Sequence, residues 1–231
     1  MRKFPKGLIV SCQALEGNPL RNSAALARMA KAAEMGGAQA IRANGVEDIA
    51  AIREQVAIPI IGINKIKNAQ GRVVITPTYA SAAEVLRAGA DILAIDATFA
   101  PDTLRENAGE IVRKVHTEYD VPVMADISTV EEARHAVQIG VDAVSTTLSG
   151  YMPGMPYASA DRYQPDFFLL KQLLSDPKIC VPIVAEGRFW KLEDVRKAFQ
   201  MGVHAVVIGK AITNPMAITV YFMQGCCEDG H

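Results

Sequence analysis

Two residues with acid–base side chains, Lys65 and Glu186, each stand directly after a short apolar run. Lys65 follows Pro59-Ile-Ile-Gly-Ile-Asn64, and Glu186 follows Val181-Pro-Ile-Val-Ala185. A lysine whose ammonium is partly desolvated has a lowered pKa, so its amine can act as a base or a nucleophile. A carboxylate across a barrel from that amine could serve as a second acid–base group. The pair therefore indicates proton-transfer chemistry.

Both residues also have a purely structural interpretation. Lys65 could form a salt bridge with Asp96 or Asp126 that only closes a barrel of strands. Glu186 could be a structural partner for Arg188, two residues further along the chain. These interpretations weaken if charged residues recur at equivalent places in the chain.

Polar residues do end the other apolar runs. They are Gln13, Arg42, Asp96, Asp126, Thr147 and the pair Gly209-Lys210. A single charged residue after a strand is usually a cap or part of a solvated loop, whereas here five of the eight strand ends carry one, namely Arg42, Lys65, Asp96, Asp126 and Glu186. Because chemistry in parallel barrels sits at the carboxyl ends of the strands, we expect these side chains to form one site.

Two glycine-containing turns, Ala185-Glu-Gly-Arg188 and Ile208-Gly-Lys-Ala211, indicate an anion site. Each turn lies between a predicted strand and a helix. Glycine allows close approach to the backbone, and the N–H groups at the start of a helix attract phosphate. The turns follow the seventh and eighth predicted strands, which is the usual phosphate position in barrels.

Two alternating sequence units must position these residues. In one unit a helix ends in glycine before a buried strand, because glycine suits the left-handed position that stops a helix. In the other unit a proline opens the strand. Together with a first apolar run, Gly7-Leu-Ile-Val-Ser-Cys12, they predict eight strands near residues 8–12, 38–42, 59–64, 91–96, 122–126, 142–147, 182–186 and 205–209.

Helical periodicity fills the gaps between these strands. The predicted helices are Ser23–Met35, Ser81–Ala88, Asp102–Thr117, Thr129–Ile139, Leu192–Met201 and a last apolar helix, Ile212–Met223. Ser81 with Glu84 and Thr129 with Glu132 have capping-box spacing. We therefore predict an α/β fold, a single (β/α)8 TIM barrel of the phosphate-binding type that forms one catalytic domain over residues 1–231. The alternative, an open doubly wound sheet, fits the evenly spaced repeats less well.

Composition excludes several classes of protein. Half of the 231 residues are hydrophobic, and 24 basic against 25 acidic residues leave a net charge of −1. These values argue against disorder and against a nucleic-acid-coating protein. No apolar stretch is long enough for a secretory signal or a membrane span. The cysteines, histidines and glycines form no disulfide framework, zinc motif or nucleotide-binding motif. We expect a cytoplasmic enzyme that needs no metal or other cofactor and binds no membrane.

Two segments could have roles outside the strand ends. Tyr151–Tyr157 is rich in turn-forming residues and could cover the mouth of the barrel as a lid, or be a surface loop. The apolar last helix, Ile212–Met223, could form the interface of a homodimer or cap the barrel floor.

Seven short motifs carry a resemblance to a known family. They are Ser11-Cys-Gln-Ala14, Ile41-Arg-Ala-Asn-Gly45, Gly62-Ile-Asn-Lys65, Ile75-Thr-Pro-Thr78, Ala125-Asp-Ile-Ser-Thr129, Ser145-Thr-Thr-Leu-Ser-Gly-Tyr151 and Ala185-Glu-Gly-Arg188. With them the chain resembles the N-acylglucosamine-6-phosphate 2-epimerases over essentially its whole length. The resemblance implies a barrel that interconverts N-acetylmannosamine 6-phosphate and N-acetylglucosamine 6-phosphate without a required metal, a step in sialic-acid breakdown.

The resemblance also implies roles for single residues. Lys65 matches the catalytic lysine of the family, and Glu186 matches its active-site glutamate. Gln13, Arg42 and Asp126 match sugar-contacting positions, and Thr147 is expected in the same substrate site. The phosphate end is matched by Gly187, Arg188, Gly209 and Lys210. The chain departs from the family pattern at Ile66 and Lys67, where an arginine and an aspartate are usual, and at Asn214, where an arginine is frequent.

Epimerisation beside a latent aldehyde requires a proton to leave one face of C2 and return to the other. Lys65 would move that proton, and Glu186 would either drive opening of the sugar ring or carry the second proton. Two other functions stay open at this point. One is a lyase or aldolase in which Lys65 forms a Schiff base with a sugar phosphate, and the other is a non-catalytic barrel that binds a phosphosugar.

Overall fold

The chain forms a closed barrel of parallel strands in the computed structural model, which describes residues 3–68, 71–151 and 163–226. In chain order the strands of this part are β1 (Gly7–Cys12), β2 (Ala40–Asn44), β3 (Ile60–Ile63), β4 (Lys65–Lys67), β5 (Val73–Ile75), β6 (Ile92–Asp96), β7 (Val123–Asp126), β8 (Ala143–Ser145), β9 (Ile183–Glu186) and β10 (Ala205–Ile208). The barrel order is β1-β10-β9-β8-β7-β6-β3-β2. The prediction of a TIM barrel is therefore confirmed.

Helices connect the strands on the outside of the barrel. They are α1 (Ser23–Met35), α2 (Val46–Arg53), α3 (Tyr79–Arg87), α4 (Ala108–Glu118), α5 (Val130–Gln138), α6 (Phe167–Ser175), α7 (Leu192–Met201), α8 (Lys210–Thr213) and α9 (Pro215–Met223). Short 3-10 turns lie at Thr146–Leu148 and Gln224–Cys226. The predicted bounds of α1 and α7 are confirmed. At the end of α7, Gly202 has a φ of 106°, the left-handed conformation expected there.

The two predicted capping boxes had different outcomes. Thr129 accepts from the backbone N–H of Glu132 and Glu132 reaches back to it, so the box that opens α5 is confirmed. The prediction that Ser81 caps α3 is wrong. Thr78 is the cap, and Ser81 occupies the third helical position, where its hydroxyl accepts from the Thr78 N–H. The helix thus begins earlier because Thr78 already supplies the oxygen that a cap needs.

Other predicted boundaries also need correction. The helix expected from Asp102 begins only at Ala108, because the Asn107 side chain caps it by accepting from the backbone N–H of Glu110. The last helix, expected over Ile212–Met223, is broken at Asn214 into α8 and α9. Proline at the first position of α9 has no N–H to continue the α8 ladder, so a new helix starts there.

A two-stranded antiparallel hairpin of β4 and β5 stands outside the barrel and was not predicted. Helices α2 and α6 also have no counterpart among the predicted helices. The hairpin strands have only three residues each, too few for a readable alternation. Since β4 begins at Lys65, the hairpin positions one of the two residues that could transfer protons.

Apolar side chains fill the inside of the barrel below its mouth. This inner cluster includes Ile9, Ile61, Ile63, Met124 and Val184. Phe4 joins the cluster from the segment before β1 and is only 5% exposed. Its ring lies edge-on to His204, 6.2 Å between centroids, and its carbonyl oxygen is 3.1 Å from His204 Nε2. A packed apolar cluster therefore lies beneath the polar residues at the strand ends.

Candidate active site

Four of the predicted site residues form one connected group at the carboxyl ends of the strands. Arg42 lies in β2, and Asp126 and Glu186 are the last residues of β7 and β9. Thr147 lies in the 3-10 turn that follows β8. The parallel pairing of these strands brings side chains that are distant in sequence to the same mouth.

Arg42 and Asp126 form a buried two-pronged ion pair at the centre of this group. Arg42 Nη1 is 3.0 Å from Asp126 Oδ1, and Nη2 is 2.5 Å from Oδ2. The side chains are 1% and 0% exposed. The planar guanidinium matches the carboxylate geometry, so the pair is fixed in orientation as well as in distance.

Glu186 is the second carboxylate on Arg42. Its Oε2 lies 2.6 Å from Arg42 Nη1, and its side chain is 16% exposed. The Thr146 hydroxyl holds the backbone of Glu186 by donating to its carbonyl oxygen and accepting from its N–H, both at 2.9 Å. Glu186 is thus tied at backbone and side chain while part of its carboxylate still faces the mouth.

Lys65 is held by a neutral partner. Its Nζ donates to Gln13 Oε1 at 2.6 Å, and Gln13 Nε2 donates in turn to Ser11 Oγ at 2.8 Å. The Lys65 backbone N–H donates to Asn44 Oδ1 at 2.8 Å. These bonds fix both the backbone and the side-chain amine of Lys65 at the start of the β4–β5 hairpin.

The ion pairs suggested by the purely structural interpretations of Lys65 and Glu186 do not form in the described part of the chain. Lys65 forms no ion pair with Asp96 or Asp126 among the described residues. Asp96 accepts instead from the Thr98 hydroxyl at 2.6 Å. Arg188, the suggested partner of Glu186, donates to backbone carbonyl oxygens.

The environment moves the pKa values of Lys65 and Glu186 towards each other. Burial, helped by the positive charge of Arg42, lowers the pKa of Lys65 to about 8. Burial raises the pKa of Glu186, although the charge of Arg42 opposes this. For Arg42, burial works against the charged form, but Asp126 and Glu186 outweigh it and raise the pKa. Lys65 can therefore gain and lose a proton near neutral pH, the raised pKa of Glu186 makes its carboxyl easier to protonate, and Arg42 stays charged.

Lys65 and Glu186 stand on opposite sides of the barrel. In the closed order of eight strands, β3, which leads directly into Lys65, is four places away from β9, which ends in Glu186. A ligand held between them at the mouth would meet one group on each side. This is an arrangement that can exchange protons on two faces of one carbon.

The predicted phosphate residues lie after β9 and β10. Gly187 has a φ of 106°, and Arg188 after it has a left-handed φ of 61°. Arg188 is buried, with Nε donating to the Gln164 carbonyl at 2.8 Å and Nη1 to that of Ser149 at 2.9 Å. Its guanidinium thus ties together the chain on both sides of residues 152–162.

The other two phosphate candidates follow β10. A Cβ added at Gly209 would lie 3.3 Å from Ser11 Cβ, so this position leaves little room for a side chain. Lys210 is exposed at the start of α8, and its charge contributes to lowering the pKa of Lys65. A positive charge therefore lies near the amine of Lys65 on this side of the mouth.

Three residues that hold the site were not predicted: Ser11, Asn44 and Thr146. Alternation along a strand could have found two of them, because Ser11 and Asn44 are two residues away from Gln13 and Arg42 and point the same way. β2 continues to Asn44, two residues past its predicted end, so the predicted strand does not include Asn44. Nothing in the sequence signals the contact of Thr146 with the Glu186 backbone.

Other expectations concern features beyond this group. Residues 152–157 of the suggested lid lie outside the described residues. Within the part of the chain that the structure describes, no three His, Cys, Asp or Glu side chains are grouped to hold a metal ion. The same part has no helix with the length and apolarity that a membrane crossing requires.

The family model and the known proteins that are similar to this chain in sequence carry closely related names. Residues 26–228 match a family described as "Putative N-acetylmannosamine-6-phosphate epimerase". Two proteins named "Putative N-acetylmannosamine-6-phosphate 2-epimerase" are similar over almost their whole length. The one from Caldanaerobacter subterraneus subsp. tengcongensis is 48% identical, over 96% of this chain and 92% of the relative. The one from Clostridioides difficile is 44% identical, over 94% of each.

Two solved structures are similar to this chain. The N-acetylmannosamine-6-phosphate 2-epimerase from Clostridium perfringens superposes with a TM-score of 0.87 at 42% identity, over 94% of this chain and 92% of the other. Thiamine phosphate pyrophosphorylase from Pyrococcus furiosus superposes with a TM-score of 0.59 at 14% identity, over 92% of this chain and 89% of the other. The second likeness concerns the fold alone.

Proposed function

The chain belongs to the N-acetylmannosamine-6-phosphate epimerase family, and from this premise we propose that it interconverts N-acetylmannosamine 6-phosphate and N-acetylglucosamine 6-phosphate. The two sugars differ only in configuration at C2. In the open-chain form, C2 lies beside the C1 aldehyde, so its proton can be removed to give an enolate. Return of a proton to the opposite face gives the epimer.

The observation that carries this proposal is the placement of Lys65 and Glu186 across the mouth from each other, with pKa values shifted towards each other by burial. We assign Lys65 as the base that removes the C2 proton on one face. We assign Glu186 as the carrier that delivers a proton on the other face. In the reverse reaction the two groups exchange these roles.

The remaining mouth residues receive roles in binding and orientation. Gln13 contacts the sugar and holds the Lys65 amine at 2.6 Å. Asp126 orients Arg42, whose charge stabilises the developing enolate. The Arg42 side chain is only 1% exposed, so we assign it an effect through its charge and not through a direct hydrogen bond to the sugar.

The phosphate group is assigned to the turns after β9 and β10. Gly187 and Gly209 let the phosphate approach the backbone, and exposed Lys210 supplies a charged donor. Arg188 acts through its charge and by holding the turn, because Nε and Nη1 already donate to backbone carbonyls. This assignment places the reacting carbon towards Lys65.

We also propose a homodimer formed through α9. This helix is apolar on all sides, yet none of its residues is buried. A helix that is hydrophobic all round is normally covered by protein. A second copy of the chain would cover it, because two identical patches related by a two-fold axis complement each other.

For the setting of the enzyme, we propose the cytoplasm, amino-sugar and sialic-acid breakdown, and one catalytic domain made by the barrel. The three cysteines of the described residues, Cys12, Cys180 and Cys226, are free thiols, which suits a reducing compartment.

Proton NMR in deuterated water tests the proposed reaction directly. The protein is mixed with N-acetylmannosamine 6-phosphate, and the signals of the two epimers are followed with time. We expect the second sugar to appear with deuterium at C2. Turnover without deuterium at C2 would contradict proton removal, and binding without turnover would contradict an enzyme of this type.

A further inference from the structure

The Thr147 hydroxyl occupies the junction of the charged group. Its Oγ1 lies 2.6 Å from Asp126 Oδ1, 3.0 Å from Glu186 Oε2, 3.1 Å from Arg42 Nη1 and 2.8 Å from Ser145 Oγ. A threonine hydroxyl has one proton to donate and two lone pairs. It can therefore donate to only one of the two carboxylates at a time, while it accepts from Arg42.

We propose that Thr147 is a positioning residue whose hydroxyl anchors Oε2 of Glu186 and turns its proton between Glu186 and Asp126 as the charge of Glu186 changes. When Glu186 is ionised, the hydroxyl donates to it. When Glu186 is protonated, the hydroxyl donates to Asp126. The Thr147 proton itself stays on Thr147 throughout. This inference rests on the proposed function, in which Glu186 alternately gives and takes a proton.

The anchoring defines which oxygen of Glu186 meets the sugar. Oε2 accepts from both Arg42 and Thr147, whereas Oε1 has no hydrogen-bond partner among the described residues. Because the Glu186 side chain is partly exposed, Oε1 is the oxygen that can face the mouth. Thr147 thus leaves a single carboxylate oxygen for proton transfer.

Two neighbouring threonines bind different parts of Glu186. Thr146 binds its backbone N–H and carbonyl, and Thr147 binds its carboxylate. The 3-10 turn Thr146–Leu148 directs both side chains towards Glu186. A direct contact of Thr147 with the sugar would have to break one of its four existing contacts, which argues for positioning over substrate binding.

The charges around Glu186 determine how the loss of Thr147 would act. Glu186 is influenced by Arg42 on β2, Lys65 on β4 and Asp126 on β7. Thr147 is a neutral donor among these charges, and its hydrogen bond lowers the pKa of Glu186 against the effect of burial. Without the hydroxyl, Glu186 should therefore be harder to ionise.

The test compares Thr147→Val, which removes the hydroxyl at similar volume, with Thr147→Ser, which keeps it. In substrate-free protein labelled with 13C at the glutamate carboxyls, NMR follows the titration of Glu186, and Glu186→Gln identifies its signal. We expect Thr147→Val to raise the Glu186 midpoint by about one pH unit. Thr147→Ser should keep it near the wild-type value.

Kinetics give a second readout. We expect kcat of Thr147→Val to fall about tenfold to a hundredfold with little change in KM, and Thr147→Ser to restore it. Thr98→Val is the matched control, because it also removes a hydroxyl donor from a buried strand-end carboxylate, that of Asp96, outside this group. It should lose stability without moving the Glu186 midpoint.

An unchanged Glu186 midpoint in a folded Thr147→Val protein would overturn the proposal, and so would a loss confined to KM. If Thr147→Val does not fold, Thr147→Ala takes its place with the same expectation. The carboxyl titration needs no sugar, so it tests the role of Thr147 even if the wild-type protein fails to epimerise N-acetylmannosamine 6-phosphate.

Discussion

Lys65 donates to Gln13, a neutral amide, with 2.6 Å between Nζ and Oε1. A carboxylate in the place of Gln13 would hold the amine equally well, but its charge would stabilise the ammonium form. The neutral amide fixes the direction of the amine without that effect. Burial can then keep the pKa of Lys65 near 8, where a useful fraction is uncharged at neutral pH.

The first prediction follows from this pair. In Gln13→Glu, the new carboxylate should favour the ammonium and raise the pKa of Lys65. Because the base works in its uncharged form, the pH midpoint of the rise in kcat/KM should move upward by about one unit or more. Gln13→Met removes the acceptor without adding charge, so it should lower kcat without an upward shift. An unmoved midpoint in Gln13→Glu would contradict a base at Lys65.

The second prediction concerns Lys65 itself. Lys65→Ala should lower epimerisation by about a hundredfold to ten-thousandfold, since the variant lacks the amine assigned as the base for the C2 proton. Lys67→Ala is the control, because Lys67 lies on the same strand of the hairpin but is exposed and 3.8 Å from Glu16. The measurement is the rate of epimer formation by NMR. Full activity in a folded Lys65→Ala protein would exclude the assignment.

The third prediction concerns whether Lys65 forms a covalent bond with the sugar, tested by adding borohydride during turnover. A base that only moves a proton forms no covalent bond with the sugar, whereas a Schiff-base lysine would be reduced to a stable adduct. We expect mass spectrometry to find Lys65 unmodified and activity to survive treatment. A sugar adduct on Lys65 would instead indicate lyase or aldolase chemistry.

A fourth prediction separates the possible roles of Glu186. In Glu186→Gln, Lys65 should still exchange the C2 hydrogen of one epimer with solvent, but the other epimer should form at least about a hundred times more slowly. The measurement is deuterium incorporation into each 6-phosphosugar separately. Equal loss of exchange from both sugars would show that Glu186 acts in ring opening and not as the second proton carrier.

The sequence predicts the strand ends that form this site but not the contacts between their side chains. Short apolar runs closed by Arg42, Lys65, Asp126 and Glu186 gave both the barrel and its charged mouth, because parallel strands bring their carboxyl ends together. The contacts between these residues were not predictable. Whether Lys65 meets Asp126 or Gln13 depends on the β4–β5 hairpin, which has three-residue strands and no readable pattern.

Arg188 illustrates the same limit. Its place after a glycine in a strand-end turn predicts a phosphate ligand, yet the guanidinium donates to the carbonyls of Ser149 and Gln164. Neither partner is near Arg188 in sequence, and any backbone carbonyl can accept a hydrogen bond. A sequence pattern therefore locates the charge of Arg188 but not the direction of its donors.

The fifth prediction tests the dimer through Phe222, which is 68% exposed on α9. Tyr221 next to it stacks on Trp190, 4.9 Å between ring centroids, so the helix is held against the barrel while Phe222 points away. We expect light scattering to show a dimer for the wild-type protein and a monomer for Phe222→Asp, because a charge buried in an apolar interface is strongly unfavourable. Phe168 on α6 is 71% exposed and serves as the matched control, since Phe168→Asp should leave the dimer intact. A wild-type monomer at micromolar concentration, or equal dissociation of both variants, would show that α9 is not the interface.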